Sequence, residues 1–150
     1  MNHSTGQRCG YVGIKPTHPL YGLPYNDTIP QTLMDKWQEI QDKLVGKRGA
    51  IDLFILSSNL KNPRIGILFD VHGGITYSSK SPDYPIFIKD TWWFGFDCSH
   101  YGDGKDIGQI YPEDVRRHYH NFPGDVIRTL EYCISECESL SQQLTDIGGK

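Results

Sequence analysis

The chain reads as a single α+β domain: a small, mostly antiparallel sheet with an inserted helix and a long C-terminal helix, rich in loops. Three observations lead there. Short runs with strand character stand at 11–14, 51–56, 65–78 and 91–98. Two segments carry helical periodicity instead, one at 30–45 and one near the end of the chain. Nine prolines and sixteen glycines leave the remainder to ordered loops rather than to regular elements. At 150 residues, one such domain buries a conventional core without metal or disulfide staples.

The elements follow in order. Tyr11-Val12-Gly13-Ile14 is a short strand before the turn-rich Pro16 to Gly22. Thr28 and Gln31 have capping-box spacing, and Pro30 suits a first helical turn. Leu33, Trp37, Ile40 and Leu44 then form an apolar stripe, and Gly46 terminates it. Ile51 to Leu56 is a second strand. A turn around Asn62-Pro63 leads into a longer one, from Ile65 to about Ser78. Its parity puts Ile65, Ile67, Phe69, Val71, Ile75 and Tyr77 on one face, and Asp70, His72, Thr76 and Ser78 on the other. Gly73-Gly74 is the place where a bulge would switch that register.

Thr91 to Cys98 is the most aromatic strand. Trp92, Phe94, Phe96 and Cys98 share one face, with Trp93, Gly95 and Asp97 on the other. Gly95 leaves room there for a neighbouring backbone or a planar ligand. Residues 101–124 are glycine-rich and polar, suited to a lid or rim. The closing helix runs from Asp125, its expected N-cap, to Asp146. Its stripe is Val126, Leu130, Cys133, Cys137, Leu140 and Leu144, packed on the sheet in preference to pairing with a second copy.

Composition excludes several function classes. A net charge of −3 gives no general pull toward long nucleic acid or anionic membrane. No apolar run approaches the roughly 20 residues that span a bilayer, and no apolar signal core follows Met1. A cytoplasmic protein is expected. Its four cysteines then read as thiols. Cys133 and Cys137 belong to the helix stripe, whereas Cys9 and Cys98 leave a structural zinc site open, without Cys-x-x-Cys spacing.

Chemistry-bearing residues concentrate in two places. His72 stands beside Asp70 and before Gly73-Gly74, where glycines let a ligand approach the backbone. The alternative is a histidine hydrogen-bonded within a half-exposed sheet. The aromatic strand runs into Asp97, Cys98, Ser99, His100 and Asp103. Cys98 with His100 and Asp103 resembles a thiol nucleophile with its base, but the parity of Cys98 buries it and makes the thiol inert. His72, Asp97, His100 and Asp103 together have donors suited to zinc, manganese or iron, without a recognised ligand spacing. A planar base would find stacking partners in Tyr77, Trp93, Tyr101 and Tyr111. Arg116 and Arg117 head the densest basic run, a rim for an anion or simply a solvated loop.

His72-Gly73-Gly74-Ile75-Thr76-Tyr77-Ser78, then Trp92 to His100 and Asp103, resemble a group of small bacteriophage and prophage proteins. So do Gly10-Tyr11-Val12-Gly13, His18 to Gly22, and the closing Glu131 to Leu140. The similarity covers about half of the chain; the helix at 30–45 and the strand at 51–56 look like an insertion relative to shorter members. It implies phage origin and action in the bacterial cytoplasm, and by analogy a counter-defence role.

The expected function is therefore sequestration of a nucleotide-derived immune signal, a cyclic oligonucleotide or a cyclic ADP-ribose isomer, without turnover and without a cofactor. Tyr77 and Trp93 stack on the base, and His72 and His100 donate to phosphate or ribose. Asp97 and Asp103 accept from hydroxyls or the base edge, and Arg116 and Arg117 close the rim. Homo-oligomerisation is expected. The alternatives are a metal-dependent hydrolase of the same ligand, with the metal on His72, Asp97, His100 and Asp103, or an inhibitor that contacts a host defence protein directly.

Overall fold

The computed structural model describes residues 6–44, 63–80, 84–107, 112–113 and 120–148. Among these the order is β1 (Cys9–Ile14), α1 (Gln31–Leu44), α2 (Ile65–Leu68), β2 (Tyr77–Ser79), β3 (Trp92–Asp97), β4 (Asp103–Gly104), β5 (Val126–Ile127) and α3 (Leu130–Gly148). The expected strand at 51–56 lies outside the described residues, as do 108–111 and 114–119 of the loop expected to form a lid.

The aromatic strand is the centre of the sheet. β3 pairs antiparallel with β1 on one side and β2 on the other, with Tyr11 and Tyr77 both opposite Gly95. Bulky aromatic side chains favour this pleated, half-buried surface. Parity then decides which side is core: Phe94, Phe96 and Cys98 are almost fully buried. Burial of each phenylalanine contributes roughly 1.5–3 kcal/mol. The long helix α3 covers this face with Cys133, Leu140, Leu144 and Ile147. α1 adds Trp37, whose indole N–H donates to the Leu68 carbonyl at 3.3 Å. The domain is thus α+β, with the C-terminal helix packed on the sheet.

Gly10 sets how closely α3 approaches β1. A Cβ there would lie 2.3 Å from the Phe96 ring and 2.6 Å from Cys137 Sγ, both packed groups. Gly10→Ala should therefore destabilise the fold by about 1–3 kcal/mol through overpacking. The expected readout is a lower urea midpoint at unchanged slope. A midpoint equal to the parent's would show that the helix moves away freely.

Two elements differ from the sequence reading. Residues 65–78 form no continuous strand. Ile65 and Leu68 are buried one helical turn apart, while Ile67 is exposed. The chain then turns at Val71–Gly74, with Gly73 and Gly74 at φ +66° and +80°. Such angles interrupt an extended chain, so only Tyr77–Ser79 joins the sheet. The closing helix starts later than Asp125. That carboxylate accepts from the Phe122 N–H, and Val126 and Ile127 pair in parallel with Asp103 and Gly104. Val126 and Leu130 are accordingly exposed rather than part of the buried stripe. Thr129 supplies the cap, its Oγ1 accepting from the Tyr132 N–H at 3.2 Å.

Thr28 also takes another role, as an isolated bridge partner of Arg64 just before α1. No helix among the described residues is long and apolar enough to cross a membrane.

Candidate functional site

The turn that follows Phe69 is docked on α3 by a polar stripe of that helix. The Gln143 amide donates to the Asp70 carbonyl and accepts from the Asp70 N–H, at 2.8 and 2.9 Å. Glu136 Oε2 accepts from the His72 N–H at 2.6 Å, and the Tyr132 hydroxyl meets His72 Nδ1 at 3.0 Å. Positions 132, 136 and 143 share one helical face. His72 is thereby fixed through both backbone and ring.

Its other nitrogen, Nε2, lies 2.7 Å from Asp103 Oδ2. Asp103 comes from β4, whose pairing with β5 also delivers Arg128: the Arg128 Nε–H donates to Asp103 Oδ1 at 2.8 Å. The His100 backbone N–H donates to Oδ2 at 3.0 Å. The Asp103 side chain is only 1% exposed, so these donors replace water entirely. Burial by itself pushes the carboxyl up. The Arg128 guanidinium, the His72 ring and the His100 N–H outweigh it and hold Asp103 below its ordinary range. An ionised Asp103 selects the His72 tautomer with its proton on Nε2, leaving Nδ1 to accept from Tyr132 when the ring is neutral.

His100 packs against the same histidine, ring centroids 5.5 Å apart. Its own Nε2 is buried without a hydrogen-bond partner among the described residues, 3.9 Å from Asp97 Oδ1. Asp97 is positioned by the Thr76 hydroxyl at 2.8 Å and the Ser99 N–H at 3.1 Å. The backbone of Gly73 makes room for His100: a Cβ there would fall 1.8 Å from Nε2. Gly73→Ala should cost about 1–2 kcal/mol for the left-handed backbone and turn the His100 ring out of the cluster. Loss of the Gly73 positive φ is read by stability, and displacement of His100 by its histidine ring proton shifts. An unshifted His100 resonance would contradict this contact.

Of the residues singled out from sequence, His72, Asp97, His100 and Asp103 come together. Tyr77 does not join them by any ring contact or hydrogen bond among the described residues. It packs edge-to-face with Tyr11 and Tyr84, centroids 5.6 Å from each, and the Tyr11 and Tyr84 hydroxyls are hydrogen-bonded to one another. The space over Gly95, expected to take a neighbouring backbone or a planar ligand, is filled by the Tyr11 ring, with the Gly10 backbone next to it. Trp93 is 8% exposed and walls a cavity of about 1200 Å³ along β1 and α3, with Tyr11, Ile86 and Ile134. His72, His100 and Asp103 do not line that cavity. Tyr77 and Trp93, the residues expected to stack on a base, therefore stand apart from the polar cluster, although Asp97 shares their face of the sheet. Tyr101 is fully exposed. Arg116, Arg117 and Tyr111 lie outside the described residues.

Chain comparison adds no relative. No family model, curated protein or solved structure matches this sequence.

Arg128, Tyr132 and Glu136 were not found from sequence, although their spacing of four residues is a visible polar face. Among the described residues, Arg128 is the cation paired with Asp103. Its guanidinium stands 5.1 Å from the Tyr132 ring centroid, with its terminal amino groups unpartnered among the described residues. For a metal, the arrangement offers little: both His72 nitrogens and both Asp103 oxygens already face protein groups. Among the described residues, no three His, Cys, Asp or Glu side chains meet as a metal-holding group. Cys98 is 2% exposed and 3.6 Å from Cys133 Sγ. Burial first, and its neighbour next, push the Cys98 thiol far above its ordinary range, which keeps it protonated and inert.

Proposed function

We propose that the protein binds a small nucleotide-derived anion at the His72–His100–Asp103–Arg128 cluster, as a phage counter-defence factor acting in the bacterial cytoplasm. One observation supports this most: Arg128 holds Asp103 through Nε, its side chain is 29% exposed, and its terminal amino groups have no partner among the described residues, while the same carboxylate binds His72 and the His100 N–H. A phosphate accepts charge-assisted hydrogen bonds from such a fork, and ribose hydroxyls donate to Asp97. Three of the stretches that resemble phage proteins contribute here together: His72 and Gly73, then Asp97, His100 and Asp103, then Tyr132 and Glu136. Retention of the intact ligand remains the reading for the pocketed form of this function, and the aromatic face of β3 extends it toward a base.

Equilibrium titration with cyclic oligonucleotides and cyclic ADP-ribose isomers tests the proposal. Arg128→Gln should weaken binding about 10–100-fold, the share of one charge-assisted contact. Lys15→Gln, on an exposed residue bound to Thr91, should leave it unchanged. Equal losses in both variants would remove Arg128 from the site.

A further inference from the structure

Tyr132 is placed as an activated hydroxyl is placed. Its oxygen lies 3.0 Å from His72 Nδ1, and His72 Nε2 lies 2.7 Å from Asp103 Oδ2. A carboxylate that fixes an imidazole tautomer, with the imidazole facing a hydroxyl, makes a weak oxygen nucleophile reactive. Burial, then the neighbouring Glu136 carboxylate, push the Tyr132 hydroxyl up from its ordinary range. It therefore stands as a hydroxyl and needs a base to react, and His72 is that base by position. Arg128, just before the Thr129 cap, brings a cation 5.1 Å from the centroid of the same ring.

We propose that Tyr132 is the nucleophile of a phosphodiester transfer at this site, with His72 as general base and Asp103 as the residue that positions His72. The inference rests on the ligand class proposed above and replaces simple retention by covalent opening of the ligand. The Tyr132 oxygen bonds to phosphorus as the bond from phosphorus to a ribose oxygen breaks. The tyrosyl proton passes to His72 Nδ1 and from there to the departing oxygen. The opened ligand remains as a phosphotyrosyl ester. Hydrolysis runs by the same route: water bonds to phosphorus, its proton goes to His72, and the tyrosyl oxygen leaves and takes that proton.

Bis(4-nitrophenyl) phosphate is the probe. Expected is a burst of 4-nitrophenol stoichiometric with protein, and an aryl phosphoryl adduct located on Tyr132 by peptide mass spectrometry. Tyr132→Phe should abolish both, and His72→Gln should slow the burst by about 100-fold or more, each in protein whose melting curve shows it folded. An arylsulfonyl fluoride gives a second readout. It should label Tyr132 ahead of the fully exposed Tyr101, and His72→Gln should reverse that order. No burst together with labelling of Tyr101 first would overturn the assignment, as would an adduct on another residue. A cyclic nucleotide bound by the parent protein and recovered unopened would overturn it too, while leaving the binding reading intact. A Tyr132 adduct in a protein that binds no nucleotide would uphold the nucleophile and discard the proposed ligand.

Discussion

Asp103→Asn is expected to destabilise the protein by about 3–5 kcal/mol at neutral pH, the largest effect of any single substitution in the cluster. The carboxylate is almost wholly buried and accepts from three groups on three separate segments: His72, Arg128 and the His100 backbone. An amide keeps the shape but has one acceptor oxygen, and it turns an N–H toward at least one existing donor. Arg128 then retains a charge with no counter-ion at a half-buried position, which is the costly half of a broken ion pair.

The pH dependence follows from the same group. The folded-state value of Asp103 lies below its ordinary 3.8, so its contribution is fully present above that value. It is lost as pH falls through the lower, folded-state value. The gap between parent and Asp103→Asn should therefore be constant near neutrality and close in strong acid. Urea unfolding across that range measures it. A neutral-pH difference below about 1 kcal/mol would mean that surface-like solvation, not this network, supports Asp103.

The second large effect is on binding. His72→Ala should weaken the nucleotide-like ligand by roughly 100-fold, about 2.8 kcal/mol, because one ring holds two partners in place. Without it, Tyr132 loses its acceptor and Asp103 loses a donor, so the surroundings of Arg128 relax. His18→Ala is the matched control. His18 bonds the Leu144 carbonyl at 2.8 Å near the far end of α3, so its loss should lower stability by about 1 kcal/mol and spare binding. Titration of both variants decides the matter: equal affinities would place the ligand away from His72.

Much of the architecture was legible because burial follows the simplest periodicities. The alternation in 92–98 named Phe94, Phe96 and Cys98 as core, and the buried positions 133, 140 and 144 of the closing helix stood on its expected stripe. The segment 65–78 misled because Ile65, Phe69, Val71 and Ile75 satisfy an alternating pattern while the backbone is helical and then turned. Spacings of two, four and six cannot separate those conformations when two glycines with positive φ intervene. The helix start misled because Asp125 and Thr129 are both good caps. The choice is made by the pairing of β4 with β5, a contact between residues 103 and 126 that no local rule contains.

The site was legible to the same extent. Asp97, His100 and Asp103 are neighbours in sequence, and His72 was marked by its glycines. Their partners Arg128, Tyr132 and Glu136 lie about one helix and one loop away. Which helical face meets the His72 turn is fixed by the docking of Gln143 on Asp70. Parity puts Trp93, Gly95 and Asp97 on one face of the aromatic strand, but the ring that covers Gly95 is Tyr11, with Tyr77 packed against it.

The most direct measurement is incubation of the purified protein with cyclic oligonucleotides and cyclic ADP-ribose isomers, followed by mass analysis before and after heat denaturation. Depletion of one ligand is expected, with the intact molecule released by denaturation or its opened form retained on the protein as the Tyr132 ester, and with depletion strongly reduced in His72→Ala. Undiminished levels of every ligand, with the protein folded, would contradict a nucleotide-binding site at the His72–Asp103 cluster.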